Sequence, residues 1–97
     1  MIADFADKAT EHIFHGADSR DARSIPKEIW NVARRKLDAV NAAHVLKDLR
    51  LPPANRLEKL RGALAGRFSI RVNQQFRVVF RFESGRASEV KITDYHK

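Results

Sequence analysis

Over residues 24–43 the apolar side chains Ile29, Ala33, Leu37 and Val40 recur at intervals of four, four and three. That spacing lines up one stripe of an α-helix. Trp30 and Val32 widen the stripe, while Arg34, Arg35 and Lys36 fall on the other sides. Ser24 offers a cap, and Pro26 sits where a missing N–H costs nothing. A shorter helix is predicted before it, capped by Asp4 or Asp7, running to about Phe14 and stopped by Gly16. Residues 1–5 read as a short edge strand, residues 16–23 as a polar loop, and residues 44–51 as a helical turn or packed loop that Pro52-Pro53 ends.

Beyond the double proline the period drops to two. Phe68-Ser69-Ile70-Arg71-Val72 alternates apolar and polar, and so does most of residues 76–82. Strands are predicted at 56–60, 68–72, 76–82 and 88–95, joined by Asn73-Gln74-Gln75, by Glu83-Ser84-Gly85-Arg86, and by a loop holding Gly62 and Gly66. Connections this short force antiparallel pairing, since a parallel pair needs a long crossover. The expectation is an α+β fold: two N-terminal helices on one face of a mainly antiparallel sheet of four to five strands. With 97 residues the chain makes a single domain, residues 1–97.

Alternation also sorts the charges. Phe68, Ile70, Val72, Phe76, Val78, Phe80, Phe82, Val90 and Ile92 point to the helices, which sends Arg71, Arg77, Arg81, Lys91 and Tyr95 to the open face. Arg61 and Arg67 join them from the adjoining hairpin, and Glu83 is the one acid expected to share that face. The whole chain carries 19 Lys and Arg against 12 Asp and Glu, for a pI near 10.4. Residues 1–55 are almost balanced, with nine basic side chains and eight acidic ones, whereas residues 56–97 hold ten against four, mostly arginine. A guanidinium fork matches phosphate oxygens in pairs, so this face fits nucleic acid; an anionic membrane or an acidic protein is the alternative partner.

Several chemistries drop out. The absence of cysteine removes disulfides, thiolate zinc sites and thiol nucleophiles. His12, His15, His44 and His96 form no recognisable ligand set, and no glycine-rich loop opens a helix to cradle a phosphate, so neither metal nor cofactor is expected. Asp4, Asp7 and Glu11 rule out a signal peptide over the first fifteen residues, and no apolar run is long enough to cross a bilayer. A small cytoplasmic protein without membrane attachment is expected.

The terminal run Thr93-Asp94-Tyr95-His96-Lys97 sets a carboxylate, a phenol and an imidazole within three residues. RNA can be cut without a metal because its own 2′-hydroxyl can attack the adjacent phosphorus. A protein then has to take the 2′ proton, offset charge on the phosphate oxygens and protonate the leaving 5′ oxygen. Imidazole suits the proton steps, arginine the phosphate, and tyrosine can stack on a base or assist proton transfer. Asp94 can accept a proton directly or orient His96. Strict alternation puts both on the opposite side from Tyr95, so a shared site needs a bulge or the strand's end near Asp94.

The order of Leu49-Arg50-Leu51-Pro52-Pro53, Asn55-Arg56-Leu57-Glu58-Lys59-Leu60, Ser69-Ile70-Arg71-Val72-Asn73 and Asp94-Tyr95-His96 resembles the HigB-like branch of the RelE/ParE toxin superfamily, over nearly the whole chain. These are the toxins of bacterial type II toxin–antitoxin systems. The resemblance implies a microbial-RNase-like fold and a metal-independent, ribosome-dependent endoribonuclease (an mRNA interferase). By position Arg77 matches the arginine that contacts the scissile phosphate, Arg61 a basic residue after the second strand, and Asp94, Tyr95 and His96 the terminal catalytic cluster. Lys59, Arg67, Arg71, Arg81 and Lys91 would dock on RNA and ribosome. The implied partners are a helix-turn-helix, HigA-like antitoxin, the ribosome and mRNA, and operator DNA through the antitoxin complex. Glu58 stands where some such toxins carry a histidine, leaving the acid–base assignment open; Phe76 replaces a common tryptophan, and Lys97 extends past the histidine. Some ParE-like members act on DNA gyrase without cutting RNA, so a gyrase-directed toxin or a basic binding module is the alternative.

Overall fold

The computed structural model describes residues 1–95. Helix α1 spans Lys8–Phe14 and α2 spans Trp30–Ala42. The strands are β1 (Glu58–Lys59), β2 (Phe68–Arg71), β3 (Phe76–Glu83) and β4 (Arg86–Asp94), and they form one antiparallel sheet in that order. Among the described residues, no helix is long and apolar enough to cross a membrane.

Asp7 caps α1: its carboxylate accepts from the Thr10 N–H at 2.9 Å, and Gly16 beyond the last turn is left-handed at φ 76°. Asp4 has another use, accepting the Glu89 N–H at 2.6 Å. Ser24 does not cap α2. It belongs to an earlier 3₁₀ turn, Ala22–Ser24, and its hydroxyl donates to the Asp21 carbonyl; Pro26 instead opens a 3₁₀ turn, Lys27–Ile29, that runs into the helix. The stripe Ile29, Ala33, Leu37 and Val40 is buried against Ile70, Val78, Phe80, Val90 and Ile92 of the sheet. Thr10, fully buried on α1, accepts the Ile92 N–H at 2.9 Å and pins that helix to β4.

The edges depart from expectation. Residues 1–5 form only two isolated parallel bridges, Ile2 with Ala87 and Phe5 with Val90, along the outer side of β4. The strand expected at 56–60 shrinks to Glu58 and Lys59, because Arg56 is left-handed at φ 46° and breaks the extended run. Between Val79↔Lys91 and Arg81↔Ser88 the β3–β4 register slips by one residue, a bulge at which Glu89 is left-handed at φ 51°.

Candidate functional site

The site is built around Arg77. Its neighbours in register are Arg71 on β2 and Thr93 on β4, all on the face away from the helices. Only 8% of Arg77 remains exposed, so its guanidinium needs fixed partners. Nε donates to the Ser69 hydroxyl at 2.8 Å, and Nη2 donates to the Arg56 carbonyl at 2.5 Å. The Tyr95 ring centroid lies 5.7 Å from the guanidinium carbon, and Glu58 Oε1 stands 4.0 Å from Nη2. Burial pulls the Arg77 guanidinium below its ordinary pKa, Glu58 and Tyr95 oppose that, and Arg71 and Arg56 add to it. An arginine starts so high that it keeps its charge.

The carbonyl that holds Arg77 is itself held. Asn55 is fully buried at the end of the 3₁₀ turn Pro53–Asn55. Its amide donates to the carbonyls of Leu49 and Leu51 at 3.2 and 3.3 Å, and its oxygen accepts from Lys36 Nζ at 2.6 Å. Arg56 follows at once, in the left-handed conformation that delivers its carbonyl to Arg77.

Arg56, Glu58, Arg71, Asn73, Gln74, Arg77 and Tyr95 line a cleft of about 270 Å³. Arg71 and Arg77 are direct cross-strand neighbours, an unfavourable like-charge pairing. An anion seated between them would relieve it. The Asn73 side chain accepts the N–H groups of Gln75 and Phe76, shaping the turn that closes this end of the cleft.

The expected site residues divide. Arg71, Arg77 and Tyr95 converge, as alternation requires. Asp94 does not join them: it is in register with Phe76, on the opposite face from Arg77, and its carboxylate accepts from the Gln75 amide at 3.0 Å. The strand runs regularly through Asp94, so no bulge at that end brings it round. His96 lies outside the described residues. Lys59 is in register with Phe68, hence also off the arginine face. Arg61 is exposed ahead of the 3₁₀ turn Gly62–Leu64 and does not line the cleft.

Arg67 and Arg81 lie farther along the same face, but not as free cations. Glu89 bridges them, with Oε1 2.8 Å from Arg67 and Oε2 3.1 Å from Arg81. Glu83, the acid expected on this face, stands two residues beyond Arg81 on β3, in register with Arg86 at the β3–β4 turn. Lys91 lines a separate groove of about 350 Å³ beside Arg67 and Glu89, floored by Ala63, Leu64 and Val79. Among the described residues, no three His, Asp or Glu side chains are grouped to hold a metal ion.

Sequence reasoning misses Ser69, Asn55 and Arg56 as site residues. For Ser69 a signal exists, since alternation puts it on the same face as Arg71 and beside it. Asn55 and Arg56 carry none beyond lying in a distinctive motif.

The family model for the RelE-like toxin of the type II toxin–antitoxin system HigB matches residues 3–96. Toxin HigB-1 of Vibrio cholerae is 42% identical over 97 residues, covering 100% of this chain and 99% of that protein. An uncharacterised protein of Haemophilus influenzae is 39% identical over 66 residues, 68% of this chain and 65% of that one. Among solved structures, a YoeB–YefM complex from Staphylococcus aureus contains a chain superposing with a TM-score of 0.60 at 14% identity, covering 100% of this chain and 99% of that one, a likeness of fold. Arg77, sunk in an antiparallel sheet beside Tyr95, thus belongs to a chain of the HigB-like family, the RelE-like toxins of type II toxin–antitoxin systems.

Proposed function

We propose that this toxin is an endoribonuclease that cuts mRNA on the ribosome. The observation that carries the reading is the buried Arg77, held by Ser69 and Arg56 in a cleft that also contains Glu58, Arg71 and Tyr95. A guanidinium whose position is fixed before substrate arrives is suited to charge that grows in a transition state. Here Arg77 and Arg71 take the non-bridging oxygens of the phosphate. Glu58, half exposed at the cleft wall, accepts the 2′-hydroxyl proton as the ribose oxygen bonds to phosphorus. The phosphorus–5′-oxygen bond breaks, and Tyr95 or His96 supplies the proton the leaving oxygen needs. No step in this scheme uses a metal ion.

Asp94 then serves as a positioning residue: through Gln75 it steadies the β2–β3 turn beside Tyr95, whose N–H donates to the Gln75 carbonyl at 2.6 Å. A cognate antitoxin follows from the toxin family and from the fold neighbours, which were solved as YoeB–YefM complexes. We expect a helix-turn-helix protein that carries most of the operator contacts, with both proteins in the cytoplasm.

Expression of Arg77→Ala tests the reading. Growth arrest should disappear and new mRNA 5′ ends should fall about a hundred- to a thousand-fold, the loss typical when one charge-stabilising donor is removed. Arrest that persists without new 5′ ends would exclude the nuclease and favour a gyrase-directed toxin.

A further inference from the structure

We infer that a second phosphodiester subsite lies on the helix side of the β2–β3 turn and holds the linkage next to the one being cut. It rests on the nuclease reading above and extends it along the substrate. The Arg77 cleft does not end at the turn. Arg71, Asn73 and Gln74 line it and also line a neighbouring concavity of about 370 Å³, whose remaining walls include Val32, Arg35 and Lys36 of α2. The two hollows share Arg71, Asn73 and Gln74 as a common wall, so an occupant of one leads into the other.

Among the described residues, the lining of the second hollow has three cations and no carboxylate. Arg71 is steadied by its Nε–H donating to the Asn73 carbonyl at 3.1 Å, which keeps its charge at the saddle between the hollows. Lys36 is fixed by the neutral Asn55 oxygen and makes no ion pair among the described residues. Arg35 is exposed and makes no ion pair among the described residues. The opposite end of the arginine face differs: there Glu89 already answers Arg67 and Arg81. Among the described residues, cations without a carboxylate partner therefore run from Arg71 to Lys36 and Arg35 of α2, beside an Arg77 that Glu58 answers only at 4.0 Å. The ligand chemistry that fits is a chain of phosphates. The Asn73 and Gln74 amides are placed to meet sugar hydroxyls or base edges, and Val32 offers an apolar surface to a base.

The test compares two non-cleavable probes, a 2′-O-methyl RNA dinucleotide and a hexanucleotide, bound to the full chain and followed by fluorescence polarisation across a salt series. The longer probe should bind about tenfold more tightly, as one further charge-assisted hydrogen bond allows. Arg35→Glu should remove most of that gain from length, and Arg35→Lys should keep it. The slope of log affinity against log salt should become shallower by about 0.7 for each single-strand phosphate that the protein no longer neutralises. Arg35 is exposed, so these variants fold. Equal affinity for the two lengths in the wild type, or an equal loss at both lengths in Arg35→Glu, overturns the subsite. Weakened antitoxin binding with the RNA gain intact also overturns it and makes the hollow a protein interface. Arg77→Ala, read by 5′-end mapping, judges the nuclease separately, so either reading can fail alone.

Discussion

Asn55→Ala perturbs stability and site geometry together. The wild-type amide makes three hydrogen bonds, to Leu49, to Leu51 and from Lys36, at a fully buried position. Losing the bond to the Leu49 carbonyl leaves an unmet acceptor beside a buried side chain, which costs about 1–3 kcal/mol. The Leu51 carbonyl belongs to a residue that is 72% exposed and can turn to water, adding about 0.5 kcal/mol. The Lys36 ammonium is half-buried and can also rehydrate, which limits its share to about 1 kcal/mol. The sum is about 2.5–4.5 kcal/mol. Urea unfolding should show it as a lower midpoint with an unchanged slope. Asn55→Asp separates the two ends of the amide: it strengthens the pairing with Lys36 but turns an oxygen on two carbonyls, so it should be at least as unstable as Asn55→Ala. Activity should fall further than the folded fraction does, because the Arg56 carbonyl that holds Arg77 loses its anchor. A loss below about 1 kcal/mol in Asn55→Ala, or a wild-type midpoint in Asn55→Asp, would refute the reasoning.

Arg77→Lys should be nearly as inactive as Arg77→Ala despite keeping the charge, since an ammonium lacks the fork that reaches Ser69 and Arg56 at once; mRNA 5′-end mapping reads this. At Glu89, held at φ 51°, glycine should change stability by less than about 1 kcal/mol, because relief of the backbone offsets two exposed ion pairs. Valine at the same position should be clearly worse, and thermal unfolding of the two variants decides it. Asp48 accepts the N–H groups of His44 and Val45, which hold its carboxyl below the ordinary range. Its contribution is therefore present above the ordinary carboxylate pKa and is lost as pH falls through the depressed value. Asp48→Asn should be less stable than wild type at neutral pH and converge with it in acid, as unfolding midpoints across pH will show.

Periodicity carries most of the fold. Ile29, Ala33, Leu37 and Val40 identify α2, and alternation in β2 and β3 puts Arg71, Arg77 and Tyr95 on one side. The same rule, followed strictly, sends Asp94 and Lys59 away; nearness in the chain and family resemblance draw them to the site, and neither senses which way a side chain faces. Glu89 is a harder case. Its bridge to Arg67 and Arg81 depends on a bulge that no glycine announces. Asn55 looks like an ordinary turn residue after two prolines, and only the packed molecule reveals it as a buried strut. Periodic patterns report which face is apolar, whereas hydrogen bonds between distant loops leave no trace in them.

Residues 1–6 lie along β4 through hydrogen bonds such as Ala3 N–H to the Ala87 carbonyl and Ala6 N–H to the Val90 carbonyl. At the other border of the sheet β1 is only two residues long. Neither side offers a lengthy row of unpaired peptide groups on which a neighbouring molecule could extend the ladder. Self-templated growth into fibrils is thereby discouraged at both borders, and whatever docks on this protein has to meet side chains on its faces.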